Sequence, residues 1–366
     1  MKNQLASLEV AAIIKELQFL IGGKIDKIFQ PVSNELLLQL HVSNHGKQLL
    51  KIIAGKAIYL TKHKTNAEKP PGFCMYLRKY LTNSRIREVN QLDFERIVEI
   101  KLETKEKKYS LVFEIFGKGN ILLLEDGIIL SATDYKKWKD RTVKPKEKYI
   151  YPKQEYNFLK LKEVDLIRLF DNTEKESIVK AMALSLGLGG IYAEEICLLA
   201  NVDKNIIPKK FKKIKELFDA IKKLRKLDID ANIVDNGKDI VPMKLLKYAD
   251  KNHQGFETYS DAIDSVFSEV KKDAVKKVEN KEIAKYERMV DSQNKNIRKL
   301  EKDEELNRKK ADLIYSHYPL ISEVLEELDK ASKKLSMKEI KKKLKDHKLI
   351  KELNTKDKTV VVDIDE

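Results

Sequence analysis

Hydrophobic and polar positions alternate through much of residues 1–153 and predict a β-rich region. An amphipathic opening helix ends at Gly22 and Gly23, and short strand-like runs follow it, separated by turn residues. A helix over 70–81, with buried positions at helical spacing, interrupts the strands. These elements predict an α+β domain built as a two-sheet sandwich. The predicted strands cover 24–30, 35–42, 47–53, 57–61, 85–89, 96–104, 108–116, 120–125 and 128–134.

From about residue 157 the apolar spacing becomes helical. Two predicted helices flank the sequence LGLGG at 186–190, as in a helix-hairpin-helix, and a strongly basic helix is predicted over 209–226. The dipeptide Asn236-Gly237 lies between two apolar runs and is typical of a tight hairpin turn. A small β element is therefore predicted near 231–242.

Beyond residue 261 the pattern predicts a long helix with a coiled-coil seam. Ile283, Val290 and Ile297 share one heptad position, although polar residues interrupt the seam further on. Such a seam would allow two chains to form a homodimer. Another helix follows Pro319, and the run 358–364 reads as a strand with no apparent partner nearby. The predicted domains are 1–153, β-rich; 154–258, helix-hairpin-helix with a β-hairpin; 259–318, coiled coil; and 319–366, a middle domain that is cut short.

Charge favours an anionic partner. Lys and Arg number 73 against 58 Asp and Glu, which gives a formal net charge of +15. Nucleic acid or a membrane surface would suit such a chain; a well-solvated surface rich in Lys and Glu is the alternative. Glu9 and Lys15 interrupt the opening apolar run, which is a poor signal peptide, and no apolar run reaches membrane-spanning length. A cytoplasmic location without membrane contact is therefore expected.

The sequence contains few patterns that are typical of catalytic sites. The six histidines are scattered, and the two cysteines form no CxxC pair. The sequence therefore predicts no metal site, no cofactor and no catalytic residues, which favours a binding protein over an enzyme. The run Gly117-Lys118-Gly119-Asn120 allows two interpretations, a phosphate-holding nest of backbone N–H groups or a plain hairpin turn.

Three charged residues near the predicted strands and opening helix are candidate contacts. Glu9 follows Ser7, a good N-cap, and an acid there can simply complement the helix dipole. Glu95 and Arg96 begin the predicted strand 96–104, and Arg96 stands in its apolar phase. A buried guanidinium needs a partner, and Glu114 on the next strand is the predicted carboxylate. The alternative is a surface Glu beside a structurally paired Arg.

Further candidates could contact a phosphate backbone without reading its sequence. Arg78 and Lys79 lie to the side of the buried face of the 70–81 helix. Glycines in the hairpin would let a phosphate approach a helix N-terminus, or would simply end an ordinary helical hairpin. Lysines in the basic helix add charge, although a solvated face explains most such runs. The hairpin and helix candidates are Gly187, Gly189, Gly190, Lys209, Lys212 and Lys213.

An ordered set of segments resembles the NFACT family, the RqcH-like ribosome quality-control factors also described as fibronectin-binding proteins. The segments run in order through most of the chain, which makes the set more specific than any single motif. They are SLEVAAIIKEL, KIDKIFQP, PPGFCMYLRKYL, QLDFERIVEI, EIFGKGNILLL, KYIYP and KADLIYSHYPLI.

The resemblance implies an N-terminal domain similar in fold to formamidopyrimidine-DNA glycosylases, then a helix-hairpin-helix region and a coiled-coil arm with a small middle domain. The family's C-terminal domain, NFACT-R, is expected to be absent from this chain.

The resemblance also implies partners. Family members bind a large ribosomal subunit (rRNA) that carries a stalled peptidyl-tRNA, and recruit tRNA, alanyl-tRNA in particular, for C-terminal tailing. The family pattern has an acid near the start of the first helix and an Asp-Arg pair later, and Glu9 and Glu95-Arg96 occupy those positions here. Both acids are Glu. These residues, with Arg78 and Lys79, would position tRNA while the ribosome makes the bond.

Two alternatives remain from the same resemblance. A glycosylase-like protein could bind DNA without catalysis, because residues 1–4 read MKNQ and lack the N-terminal proline nucleophile of those enzymes. A fibronectin-binding surface adhesin would need export, for which no signal is visible.

Overall fold

A computed structural model of the chain describes residues 2–64, 69–138, 141–152, 155–344, 347–354, 357 and 359–363, and the side chains at 269–284 are outside this description. Contacts divide the chain into two units, Met1–Lys272 and Asp273–Glu366. The predicted domain boundary at 153/154 lies outside the described residues, and the other predicted boundaries stay predictions.

One antiparallel sheet of nine strands dominates the first unit. Its strands are β1 (Lys24–Phe29), β2 (Glu35–Val42), β3 (Gly46–Ile53), β4 (Ala57–Leu60), β5 (Arg85–Gln91), β6 (Ile97–Glu103), β7 (Lys108–Glu114), β8 (Asn120–Glu125) and β9 (Ile128–Ala132). Their order in the sheet is β4-β3-β2-β1-β5-β6-β7-β8-β9. Its two halves meet where β1 pairs with β5 at a single register position, Lys24 opposite Arg85. The prediction of two separate sheets is therefore wrong, because this short seam joins the halves by hydrogen bonds. A small ribbon follows, formed by β10 (Lys136–Lys137) and β11 (Thr142–Val143).

Two helices accompany the sheet. The first, α1 (Ser7–Glu16), is buried at every position from Ser7 to Ile14, Glu9 included, rather than on one face only as the predicted amphipathic helix would be. The second, α2 (Gly72–Leu81), buries Cys74, Leu77 and Leu81 at the spacing that the sequence predicts. The buried core runs without interruption from Leu5 into the helical region as far as Phe267.

The helical region carries a helical hairpin and a second small sheet. The predicted helical hairpin is present, and its two helices, at 178–185 and 189–199, are separated only by Leu186–Leu188, a shorter connection than the predicted 186–190. The predicted hairpin near 231–242 is confirmed, with positive φ at Asp235, Asn236 and Gly237. A third strand was missed because it is short and exposed. The elements are α3 (Glu163–Asn172), α4 (Ile178–Ser185), α5 (Gly189–Leu199), α6 (Ile214–Arg225), β12 (Asn232–Val234), β13 (Asp239–Val241) and β14 (His253–Gly255).

The remaining elements are mostly helical. The coiled-coil positions Val290 and Ile297 are exposed, whereas the side chain of Ile283 lies outside the described residues. The final strand pairs with its neighbour in the chain, so the prediction that it lacks a partner is wrong. None of the helices in the described ranges is long and apolar enough to cross a membrane. The elements are α7 (Tyr259–Ser316), α8 (Tyr318–Ser332), α9 (Met337–Lys343), β15 (Ile350–Asn354) and β16 (Thr359–Val362).

Candidate nucleic-acid interface at the edge of the sheet

Glu95 and Arg96 lie in the turn between β5 and β6, just before the strand in which they were predicted. Asp93 and Phe94 adopt left-handed backbone angles, with φ of 44° and 62°. Phe94 is nevertheless buried, with its ring centroid 5.0 Å from that of Phe158. The alternation of apolar and polar residues in the sequence continues from β6 back into this turn, because Phe94 is buried although it does not belong to β6.

Arg96 is held by an amide rather than by a carboxylate. Its Nη1 donates to Gln4 Oε1 at 2.6 Å, and Gln4 Nε2 donates to the carbonyls of Gly55 at 2.6 Å and Ile115 at 3.0 Å. Burial lowers the pKa of Arg96, and the charge of Glu95 works against that shift. The guanidinium stays charged at neutral pH, because arginine keeps its proton in proteins. Gln4 therefore holds the guanidinium of Arg96 in place. Because the amide of Gln4 is neutral, this hydrogen bond does not neutralise the positive charge of Arg96.

Glu114, the predicted partner of Arg96, pairs with another arginine, so that prediction is wrong. Its carboxylate accepts from Arg141 Nη1 at 2.6 Å and from the Tyr149 hydroxyl at 3.0 Å. Burial first, and then the charge of Glu114, raise the pKa of Tyr149 well above its usual range. The buried carboxylate of Glu114 has a charged partner, as a buried charge needs. The spacing of residues in the sequence did not show which arginine that partner would be.

The segment KYIYP also supports the turn that carries Arg96. The Tyr151 hydroxyl donates to Asp93 Oδ2 at 3.0 Å, and burial together with Asp93 raises the pKa of Tyr151 to about 12. Both tyrosines of the segment therefore hold acids next to the sheet edge.

The run at 117–120 forms a hairpin turn in direct backbone contact with the β3–β4 turn. Gly119 has φ +73°, and a Cβ built on it would lie 1.9 Å from the backbone nitrogen of Gly55. This contact brings together the turns that carry Lys56 and Lys118, both exposed. Because Gln4 links Arg96 to Gly55, the three cations share one end of the sheet. We call Arg96, Lys56 and Lys118 the basic edge.

Glu9 lies inside the protein and has no exposed surface. Its Oε1 is 2.5 Å from Lys2 Nζ and accepts from the Tyr192 hydroxyl at 2.6 Å. Its Oε2 accepts from the backbone nitrogen of Ala6, which is the N-cap in place of the predicted Ser7. Burial leaves Glu9 no exposed surface in this structure, and its role in tRNA binding or tailing stays a prediction.

Lys2 connects Glu9 to the helical region. Its Nζ also lies 2.5 Å from Asp239 Oδ1, and the Tyr248 hydroxyl donates to the other oxygen of Asp239 at 2.7 Å. Burial acts to lower the pKa of Lys2, but attraction to Glu9 and Asp239 raises it overall. We call Lys2, Glu9 and Asp239 the buried triad.

The candidate cations of α2 differ in exposure. Arg78 is half-buried, and its Nε donates to the Ile28 carbonyl at 2.9 Å, which ties α2 to β1. Lys79 is exposed and lies over the Tyr80 ring. The structure does not bring Lys79 to the basic edge, because Lys79 lines a groove with Glu103 at the other end of β6.

The candidates in the helical region lie in turns or at the start of helices. Gly187 has positive φ in the turn between α4 and α5, whereas Gly189, also with positive φ, and Gly190 are the first two residues of α5 and are exposed. The predicted helix over 209–226 begins only at Ile214, because Pro208 opens a separate short turn. Lys209, Lys212 and Lys213 therefore precede α6, and all three are exposed.

Sequence reasoning missed three residues around the edge. Gln4 and Arg141 offered no pattern before their partners were known. Lys56 did carry a signal, because it follows a glycine between two predicted strands, and Lys118 lies in the run 117–120 that the sequence already marked as a possible phosphate nest. Within the described ranges, no group of three His, Cys, Asp or Glu side chains could hold a metal ion.

The architecture defines an α+β protein whose broad sheet ends in a basic edge and continues into a helical-hairpin region. The chain matches the family described as NFACT N-terminal and middle domains over residues 7–356 and belongs to that family. The resemblance noted from its sequence segments is thereby confirmed.

Two named relatives and one solved structure illustrate the likeness. The archaeal Rqc2 homolog aRqcH of Methanocaldococcus jannaschii is 34% identical over 372 aligned positions, covering 95% of this chain and 55% of the relative. The ribosome quality control complex subunit NEMF homolog of Drosophila melanogaster is 22% identical, covering 57% of this chain and 22% of the relative. The N-terminal part of the fibronectin/fibrinogen-binding protein from Streptococcus suis superposes with a TM-score of 0.61 at 24% identity, covering 73% of this chain and 100% of that one. The last likeness shows the fold alone. This chain spans about half the length of its archaeal relative.

Proposed function

We propose that this chain is the tRNA- and rRNA-binding part of a ribosome quality-control factor. It binds a stalled large ribosomal subunit and recruits tRNA, alanyl-tRNA in particular, for C-terminal tailing of the incomplete chain. The observation that carries the proposal is the basic edge, three cations held at one end of the sheet in a member of this family.

Several features support an RNA partner. The formal net charge is +15, and RNA-binding proteins gain affinity by neutralising phosphates. Lys56 and Lys118 have no ion-pair partner among the described residues, so both charges are available to a polyanion. The name of the fly relative places that protein in a ribosome quality control complex.

The chain itself forms no bond in this proposal. Arg96 is fixed by Gln4 and can orient a phosphate, as a preorganised guanidinium does. The ribosome makes the peptide bond.

Sedimentation tests the proposal directly. The chain is centrifuged with dissociated large subunits that carry peptidyl-tRNA, and with small subunits as the matched control. We expect co-migration with the large subunit only. Failure to co-migrate at moderate salt would contradict the proposal, whereas retention on immobilised fibronectin or on duplex DNA at similar affinity would favour the adhesin or the glycosylase-like alternative.

Arg96→Ala is expected to weaken tRNA binding by about tenfold or more, because a charge-assisted contact is worth about 1.5–3 kcal/mol. Filter binding of tRNA at fixed salt measures this, and urea unfolding measures stability in parallel. Arg168→Ala, which removes an exposed guanidinium from α3, is the matched control and should change neither. An equal loss of stability and binding in Arg96→Ala would assign Arg96 a structural role only.

Replacing Lys212 and Lys213 with Ala is expected to weaken RNA binding whatever its sequence. Both lysines are exposed before α6, so their loss should remove two phosphate contacts. The slope of log affinity against log salt should flatten by about 1–2. Titrations of tRNA at several salt concentrations measure it, and an unchanged slope would place this segment outside the interface.

A further inference from the structure

A groove of about 790 Å³ lies at the end of the sheet opposite the basic edge. It is bounded by the last turn of α2, the start of β1 and the turn between β6 and β7. Its volume is within the about 300–1,000 Å³ of typical ligand sites. We call it the α2 groove. The length of β6 separates it from Arg96 by about 20 Å, so it is a second site.

Three lysines of the α2 groove carry unneutralised charge. Other cations there are engaged, since Arg87 pairs with Glu103 and Lys107 with Glu125, each at 2.5 Å. Lys24, Lys79 and Lys105 line the groove, are exposed, and have no ion-pair partner among the residues that the structure describes. The groove thus presents three exposed lysines without ion-pair partners among the described residues, beside one exposed carboxylate, Glu106.

An aromatic ring lies among these charges and is held in place. Tyr80 contacts Tyr109 edge-on, with centroids 5.8 Å apart at 74°, and contacts Tyr76 in a tilted arrangement, with centroids 4.7 Å apart. The ring of Tyr80 is half-buried, and Lys79 Nζ lies 5.7 Å from its centroid. A ring fixed by two others costs little conformational entropy when a planar ligand stacks on it.

We propose that the α2 groove binds a short stretch of single-stranded RNA. Lys24, Lys79 and Lys105 contact successive phosphates, and one base stacks on Tyr80. A basic groove with aromatic platforms is how proteins bind single strands without reading their sequence, because every base has a π face. A duplex would offer phosphates but no free base face. The choice of RNA over DNA rests on the proposed function; the preference for a single strand does not.

Fluorescence anisotropy with a labelled oligouridine of about 12 nucleotides tests the groove in the full chain. Lys79→Ala/Lys105→Ala should lower affinity about tenfold and flatten the salt slope by about 1.4, at about 0.7 per lost contact. Tyr80→Leu should lower affinity at least about fivefold, whereas Tyr80→Phe keeps the ring and should bind as the wild type does. Lys238→Ala removes an exposed lysine in the β12–β13 turn and should change nothing.

Three results would overturn the assignment: unchanged affinity in the double lysine variant, equal affinity for an RNA duplex of the same length, or equal loss in Tyr80→Phe and Tyr80→Leu. Equal binding of a DNA strand would overturn the choice of RNA. Sedimentation with large subunits separates this site from the proposed function. If the wild type binds oligouridine through the groove but does not bind large subunits, the proposed function is contradicted, whereas the assignment of the α2 groove as a single-strand binding site is supported.

Discussion

Replacing Lys2 with Met is expected to lower the free energy of unfolding by about 3–5 kcal/mol, which is the usual cost of removing one partner from a buried ion pair. Lys2 Nζ lies 2.5 Å from carboxylate oxygens of both Glu9 and Asp239, and its side chain is only 8% exposed. Without it, two carboxylates remain buried near each other with no cation between them. Urea unfolding followed by circular dichroism measures the loss.

The control places Lys2→Met in a Glu9→Gln/Asp239→Asn background, where the same change should cost far less. A loss below about 1 kcal/mol in the otherwise wild-type chain would contradict the assigned role of the buried triad. The pH dependence has a definite sign. Because the pKa of Lys2 is raised above its ordinary 10.5 in the folded state, its contribution is full below pH 10.5 and is lost as the pH rises through the folded value. The wild type should therefore lose stability more steeply than Lys2→Met in strongly alkaline buffer.

Gly119→Ala is expected to cost about 3 kcal/mol or more of folding stability, since two effects add. The new Cβ would lie 1.9 Å from the backbone nitrogen of Gly55 and 2.2 Å from the backbone carbon of Ala54, and neither backbone can rotate away as a side chain would. The residue would also be held at φ +73°, where alanine is strained. Thermal and urea unfolding measure the change.

Gly117→Ala is the matched control, because the same turn holds Gly117 at φ +57° with no atom within 4 Å of a built Cβ. Only the strain of the left-handed backbone applies there, and the expected loss is about 1 kcal/mol. Equal losses at both positions would show that the two turns are not in the close contact described.

Elements whose signals are local were predictable. The apolar spacing of α2 and the Asn236-Gly237 turn each involve neighbours in the chain, and the structure has both. The single sheet was not predictable in this way, because it depends on one pairing between Lys24 and Arg85, which lie far apart in sequence. The partner of the final strand was missed although β15 is close in the chain, because β15 combines apolar and charged residues without clear alternation.

The candidate site shows the same difference between features that depend on neighbours in the chain and features that depend on distant residues. The residue pattern predicted Arg96 as a buried guanidinium paired with a carboxylate, whereas Arg96 is half-buried and its partner is the neutral Gln4, more than 90 residues earlier. Glu9 was predicted in the first turn of the opening helix, and the structure has it there. Its burial depends on Lys2, Tyr192 and Asp239, and the latter two come from the helical region. Charged residues with distant partners are the ones that periodicity cannot assign.

The segment before α1 contacts two separate parts of the protein. Lys2 neutralises acids in the interior, and two residues later Gln4 accepts a hydrogen bond from the half-buried Arg96. Displacing this short stretch, for example with a bulky fusion placed ahead of it, would disturb interior charge balance and the half-buried arginine together. Tags and labels for this protein are therefore best attached elsewhere.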